Sequence, residues 1–289
     1  MRHQQDSSGR HSLRCMEIWG GSHAVESEVK MPGLDAWVYS RPFEGADRGG
    51  DVHYVSLCGG GLITRAIVAD VSGHGLAAGE MSLKLRDIMR KFINSKSQTR
   101  MARALNKEFA EQAKLSRFAT AVIASFRAAR DRLTICNAGH PRPLWYRADK
   151  KEWFILSAEL ADADHVRPQH ALNLPLGLDN ESTYDLFSIV LSKGDLVLLY
   201  TDALTESEDA SGRMLGEPGL LDIARTLDSS HPQGVGAGIL DGIARQHGGK
   251  GSDDDLTLLV LHHTAGPKRR PTLGEKLDVY AKVFRLKRV

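Results

Sequence analysis

Asp51-Val-His-Tyr-Val-Ser-Leu-Cys-Gly-Gly-Gly-Leu-Ile-Thr-Arg-Ala-Ile-Val-Ala-Asp70 is the stretch that decides the fold. Its two halves, residues 51–57 and 62–70, are rich in β-branched and aromatic side chains, and Cys58-Gly-Gly-Gly61 interrupts them. Two such runs joined by a glycine-rich turn predict an antiparallel hairpin. Upstream, residues 35–40 alternate and carry β-formers, which predicts another strand. Downstream the period changes to three and four: Met81, Leu85, Ile88, Met89 and Phe92 mark one face of a helix over 76–94. Ala102, Leu105, Phe109 and Ala113 mark a second helix over 99–114. Strands are then expected at 118–126, 133–137, 143–146, 184–191, 196–200 and 256–261, and helices at 219–227 and 234–247. Strands, a helix pair, strands, helices and a last strand do not make the alternation of a doubly wound sheet. They predict an α+β fold, with antiparallel sheets and helices outside them.

Around this pattern, residues 1–15 read as a polar, disordered lead. Residues 266–289 read as a basic tail around Lys268, Arg269, Arg270 and Pro271, which leaves one domain over 16–265. Hydrophobic residues at 42% give material for a core, and a net charge of +2 gives no global case for nucleic acid as a partner. The first residues lack the apolar segment of a signal peptide, and no run approaches the ~20 apolar residues of a membrane span. A cytoplasmic protein without stable membrane insertion is expected. Cys15, Cys58 and Cys136 form no paired motif and read as free thiols of a reducing compartment.

Four aspartates stand where apolar runs meet turns. Asp51 follows Gly49-Gly50, Asp70 ends a strand, Asp202 ends the run that begins at Leu196, and Asp254 precedes the last strand. A lone aspartate in such a place is ordinarily a turn or cap residue. Four of them argue for more, because aspartate is depleted in strands and strand ends hold a side chain in fixed geometry. Converging carboxylates repel unless a cation neutralises them. Hard oxygen ligands favour Mg²⁺ or Mn²⁺ over zinc. Two such ions ~3.5–4 Å apart can orient and deprotonate a water and polarise a phosphoryl group.

Gly49-Gly-Asp51, Asp70-Val-Ser-Gly-His-Gly75, Asn137-Ala-Gly-His140-Pro, Leu176-Gly177, Gly194-Asp195, Tyr200-Thr-Asp202 and Asp254-Asp255-Leu-Thr257 follow one another in that order. The series resembles the motifs of PPM-type metal-dependent serine/threonine protein phosphatases, in their SpoIIE/RsbU-like branch, over residues 37–262. The resemblance implies a four-layer αββα sandwich, two central antiparallel sheets flanked by helix pairs. It implies two Mn²⁺ or Mg²⁺ ions, with Asp70 bridging both and the Val71 carbonyl on the second. Asp202 and Asp254 would complete the first, and Asp51 would act directly or through bound water. The implied substrate is a phosphoserine or phosphothreonine on a small regulatory protein, typically an anti-sigma-factor antagonist in a partner-switching pathway of stress or sporulation signalling. An activating protein and a second copy of the chain are further partners that this reading admits. Two positions depart from the branch: Asp51 is followed by Val-His-Tyr instead of an aromatic, Tyr and Asp, and Ala203 replaces the usual Gly. They leave open a phosphatase-like scaffold that binds a phosphoprotein without turnover.

Other residues carry two readings each. His74 and His140 sit in glycine-containing turns and read as turn and packing residues, with an acid or phosphate contact as the alternative at His74. Arg41 and Arg48 precede Asp51 and offer either a forked phosphate contact or solvated surface charge. Asp255 reads as a supporting neighbour of Asp254. Gly248-Gly-Lys-Gly-Ser252 lacks P-loop spacing and reads as a linker. The helix pair over 76–114 follows Asp70 directly, so a helix shift is a candidate lever on that carboxylate.

Overall fold

The computed structural model describes residues 10–14, 17–58, 61–72, 76–92, 97–112, 118–160, 173–208, 211–246, 254–266 and 274. Along the chain run β1 Arg10–Ser12, β2 Ile18–Gly21, β3 Val25–Lys30, β4 Leu34–Arg41, β5 Val52–Cys58 and β6 Ile63–Val71. Then come α1 Leu76–Phe92, α2 Gln98–Gln112, β7 Ala119–Arg127, β8 Arg132–Ala138, β9 Leu144–Arg147, β10 Glu152–Ile155 and β11 Phe187–Val190. The chain closes with β12 Leu196–Tyr200, α3 Ala203–Glu206, α4 Gly216–Arg225, α5 Pro232–Gln246 and β13 Leu256–His263. One sheet has the strand order β1-β3-β4-β13-β12-β9-β10, the other β11-β8-β7-β6-β5-β2. The hairpin of the opening stretch is β5–β6, antiparallel from Val52↔Ala69 to Cys58↔Ile63. The β1–β3 pair is parallel, and the other strand pairs are antiparallel.

Side chains alternate across a strand, and here both faces of the central strands are buried. On β6, Ala66 and Val68 enter the core between the sheets, while Ile67, Ala69 and Val71 pack under α1 and α2. On β12, Val197 and Leu199 enter the inter-sheet core, while Leu196, Leu198 and Tyr200 pack under α4 and α5. Burial on two faces explains why these strands read as continuous apolar runs. The helices answer with one apolar stripe each. Ala102, Leu105 and Phe109 of α2, with Leu85 and Ile88 of α1, are buried against the six-stranded sheet. On the other side α5 lies so close to β4 that a Cβ on Gly236 would overlap the ring of Trp37. The result is four layers, helix pair, sheet, sheet, helix pair, as the resemblance implied.

The structure differs from the sequence reading in places. The expected disordered lead is shortened, because Arg10–Ser12 pairs with Glu28–Lys30 and Leu13 is buried in the inter-sheet core. β2, β3 and β10 went unforeseen: they are short, and β2 and β3 carry Gly20, Gly21 and a mostly polar run. The strand expected over 184–191 is confined to Phe187–Val190. Before it, the Asp185 amide donates to Asn173 Oδ1 at 2.9 Å and Tyr184 is buried under the helices, so that segment is a loop pinned by side chains. Residues 1–9, the turn Gly73-His74-Gly75, Cys15, Ala113, the linker 248–252 and the tail with Lys268, Arg269, Arg270 and Pro271 lie outside the described residues, as do the side chains of Met81, Met89 and Phe92. Among the described residues no helix is long and apolar enough to cross a membrane.

Candidate active site

Each sheet delivers two of the four aspartates to one edge of the sandwich. Asp51 immediately precedes β5 and Asp70 is the penultimate residue of β6. The antiparallel register that pairs Val52 with Ala69 therefore makes their carboxylates neighbours. In the other sheet Asp202 follows β12 and Asp254 lies two residues before β13. β12 and β13 pair from Tyr200↔Leu258, so these two ends also meet.

The electrostatics show the convergence. Burial first, then the Asp70 charge, raises the Asp51 carboxyl well above the usual carboxylate range, and the Thr201 and Thr257 hydroxyls pull it the other way. Asp70 is pushed up to about 7 by burial, then by Asp202 and Asp254 and more weakly by Asp255 and Glu206. Asp202 is raised by burial, Glu206 and Asp254. Among the described residues, no Lys or Arg forms an ion pair with Asp51, Asp70 or Asp202. Nor, among the described residues, do three of these acids close into a ready-made ligand shell. The donor set is nonetheless one that hard divalent cations fit: oxygen only, acidic, and raised by burial and by a mutual repulsion that a cation would relieve.

Polar residues between the sheets hold the acids in place. Thr201 Oγ1 donates to Asp51 Oδ2 at 2.8 Å and accepts the Thr257 amide at 2.9 Å. Ser40 Oγ bonds Thr257 Oγ1 at 2.9 Å, all of it buried. Asp255 is buried too. It accepts the Phe43 amide at 2.7 Å and the Gly50 amide at 2.5 Å, and its own amide donates to Asp254 Oδ1 at 2.7 Å. Thr201, Thr257, Ser40 and Glu206 escaped the sequence reading. The first two stood inside the quoted motifs, and Glu206 became visible only with the one-turn helix α3.

The remaining candidates separate. Arg41, exposed at the end of β4, lines a recess of about 340 Å³ with Pro42, Phe43, Glu44, Gly45 and Asp254. Arg48 instead bears on His23, whose pKa is lowered by burial and by that charge. His140 is a turn residue, as expected. Asn137 closes the turn from both sides, accepting the His140 amide at 2.7 Å and donating to its carbonyl at 2.8 Å. His140 Nδ1 bonds Thr120 Oγ1 at 2.8 Å, and burial lowers the ring pKa to about 3. The turn takes the chain from β8 in one sheet to β9 in the other. Buried Cys136 is no nucleophile, since burial raises its thiol to about 12.

The family model of Stage II sporulation protein E (SpoIIE) matches residues 63–264, well over half of the chain. The chain belongs to the SpoIIE family. It is 24% identical over 195 residues to the phosphoserine phosphatase RsbU of Bacillus subtilis (strain 168), covering 67% of this chain and 54% of that protein. It is 25% identical over 145 residues to the phosphoserine phosphatase RsbP of the same organism, covering 48% of this chain and 32% of that one. The chain thus spans about half the length of RsbU and a third of RsbP. Among solved structures, the RsbU and RsbW domains of Rv1364c from Mycobacterium tuberculosis superpose with a TM-score of 0.66 at 26% identity, over 85% of this chain and 64% of that one. The catalytic domain of the serine/threonine protein phosphatase PstP, in complex with 2 manganese ions, has the same fold, with a TM-score of 0.53 at 18% identity over 79% and 97% of the two chains.

Within this SpoIIE domain the two departures have local explanations. Ala203 is the first residue of the short helix α3 and has no positive φ, so a residue without glycine's freedom fits there. Val52 and Tyr54 after Asp51 pack under α1 and α2, and His53 on the opposite face is fully buried, its pKa lowered by burial to about 3. The neutral, buried side chain of Tyr54 therefore stands at the position where the resemblance implied a second carboxylate.

Proposed function

We propose that the chain is a metal-dependent protein phosphatase that hydrolyses phosphoserine or phosphothreonine on a small regulatory protein of a partner-switching pathway, in the cytoplasm. The observation that carries the reading is the meeting of Asp51, Asp70, Asp202 and Asp254 at one edge of the two sheets, each raised or raising another by its charge. In this reading Asp70 and the Val71 carbonyl, with Asp202, Asp254 and Asp51, hold two Mn²⁺ or Mg²⁺ ions. When bound, the ions supply Lewis acidity and a hydroxide-like water at neutral pH. The residues of the chain do the positioning. Thr201 orients Asp51, the start of β5 and the end of β6 fix Asp51 against Asp70, and the docked sheets set Asp202 and Asp254 opposite them. The Arg41-lined recess beside Asp254 gives the phosphorylated segment a place to lie. The phosphoserine phosphatases RsbU and RsbP and the manganese-bound PstP domain support the reading by likeness. The substrate assigned is an anti-sigma-factor antagonist, and an activating protein or a second copy of the chain is a further partner.

The test is hydrolysis of p-nitrophenyl phosphate and of a phosphoserine peptide with Mn²⁺, with Mg²⁺ and with EDTA, beside Asp70→Asn. Turnover that needs metal and falls by at least about a hundredfold in the variant is expected. Tight Mn²⁺ binding with no turnover in any metal would favour the non-catalytic scaffold instead.

A further inference from the structure

We propose that Asp255 is the positioning residue of the acidic centre, fixing Asp51 through the Gly50 amide and Asp254 through its own. The inference rests on the metal-binding reading of the site and adds a residue that acts through the ligands rather than as one.

Asp255 is 5% exposed, yet no cation neutralises it among the described residues. Its two oxygens are instead taken by backbone amides from two separate segments. Phe43, which begins the turn after β4, donates to Oδ1, and Gly50, the residue before Asp51, donates to Oδ2. A carboxylate makes stronger bonds with amide donors than a neutral acceptor does. The fit is tight. A Cβ on Gly49 would collide with both carboxylate oxygens, so the Gly49-Gly50 pair is wrapped directly around the group. The same residue holds Asp254 by the bond from its own amide to Oδ1. One residue, by its side chain on one side and its backbone amide on the other, thus ties together an acid from each sheet, and through Phe43 it also sets the wall of the recess that Arg41 and Asp254 line.

The chemistry requires a carboxylate here. Asparagine offers one carbonyl oxygen and one NH₂ group, so one of the two amide donors would face another donor. Glutamate keeps the charge but is one methylene longer, and Gly49 leaves no room for it. A purely architectural clamp can be told apart, because the molecule contains one of the same design. Asp195, 2% exposed, accepts the Ser192 amide at 3.0 Å, the Ala148 amide at 2.9 Å and Trp145 Nε1 at 3.3 Å. It sits beyond the opposite end of the five-residue strand β12, roughly 20 Å from the Thr201-Asp202 end at ~3.3 Å per residue.

The experiment is Mn²⁺ titration by calorimetry of the wild-type chain, Asp255→Asn, Asp255→Glu and Asp195→Asn, at a temperature where circular dichroism shows each folded. Residues behind metal ligands are worth roughly 10–100-fold in affinity. Both Asp255 variants should therefore raise the Mn²⁺ Kd at least tenfold, while Asp195→Asn lowers Tm and leaves Kd within twofold. If Asp255→Glu does not fold, the contrast between Asp255→Asn and Asp195→Asn decides. Wild-type affinity in folded Asp255→Asn, or an equal loss in Asp195→Asn, would overturn the positioning role. So would full affinity in Asp255→Glu, which would reduce Asp255 to a charge. A wild-type chain that binds no Mn²⁺ would overturn the metal-binding reading itself.

Discussion

Replacing Thr201 with valine removes one hydroxyl and almost nothing else, which makes it a sharp probe of how the two sheets assemble the site. That hydroxyl has a single proton. It is given to Asp51 Oδ2 at 2.8 Å, while the oxygen accepts the Thr257 amide at 2.9 Å. The backbone bond from the Thr201 amide to the Thr257 carbonyl at 3.0 Å survives the change. Valine therefore leaves a buried N–H without its acceptor and takes one of two hydroxyl donors from a buried carboxyl. Without metal, burial and the Asp70 charge raise the Asp51 carboxyl, and losing a buried hydroxyl bond whose partners stay behind costs about 2–3 kcal/mol of stability. In the metal-binding reading a cation would favour the charged carboxylate, and a bond to a charged group is worth about 1–2 kcal/mol more than a neutral one. The stabilisation conferred by Mn²⁺ should shrink by that difference, roughly a five- to thirtyfold rise in Kd. Urea denaturation of the wild-type chain and Thr201→Val, each with and without Mn²⁺, measures both quantities. Equal losses with and without the ion would refute the link to Asp51, and a loss below about 0.5 kcal/mol would refute the reading of Thr201 as a buried bridge.

Two further outcomes follow from the same packing. His140 has a folded pKa of about 3 against an ordinary 6.5, so between those values the unfolded chain binds the extra proton and stability falls as the pH falls. Stability above about pH 6.5 is unaffected by this group, and His140→Asn should remove about 1.4 kcal/mol per pH unit from the acid slope, measured by denaturation between about pH 4 and pH 6. An unchanged slope would mean that the ring is not held neutral. Gly236→Ala places a methyl against the face of Trp37, and because backbone and ring are both buried the expected loss is about 1–3 kcal/mol with a shifted or broadened tryptophan fluorescence. Wild-type stability there would show that α5 can lift away from β4.

The layers were legible because burial on two faces leaves a strong trace. Residues 62–70 and 196–200 are mostly apolar runs, and the helix faces at Leu85, Ile88, Leu105 and Phe109 recur at helical spacing. The edge elements were not, for the opposite reason. β1, β2 and β3 bury little, so their sequences carry polar residues and glycines that look like loop, while β10 buries Trp153 but at four residues is too short to show a pattern. Tyr184 shows the converse error, an apolar residue buried by a loop that Asn173 pins with a side-chain bond. At the site, the four aspartates could be found because each stands at the end of an apolar run. The groups that orient them could not, since a threonine such as Thr201 or Thr257 beside a strand is ordinary until a register places it against a buried carboxylate.

That division has a physical root in how the site is shared. Asp51 and Asp70 are set by the register of β5 against β6, and Asp202 and Asp254 by the register of β12 against β13. Either pair forms within its own sheet, but the charge of Asp202 and Asp254 on Asp70 exists only when the sheets dock. Docking is driven by the apolar core between them, to which one sheet contributes Val68 and Val122 and the other Val197, Leu199 and Leu259. The hydrophobic association therefore works against carboxylate repulsion at its own edge, and buried hydrogen bonds from Thr201 offset only part of that repulsion. In the metal-binding reading a divalent cation would remove the opposition where the two sheets meet, and metal affinity and the stability of the whole sandwich would then be two readings of one coupled equilibrium.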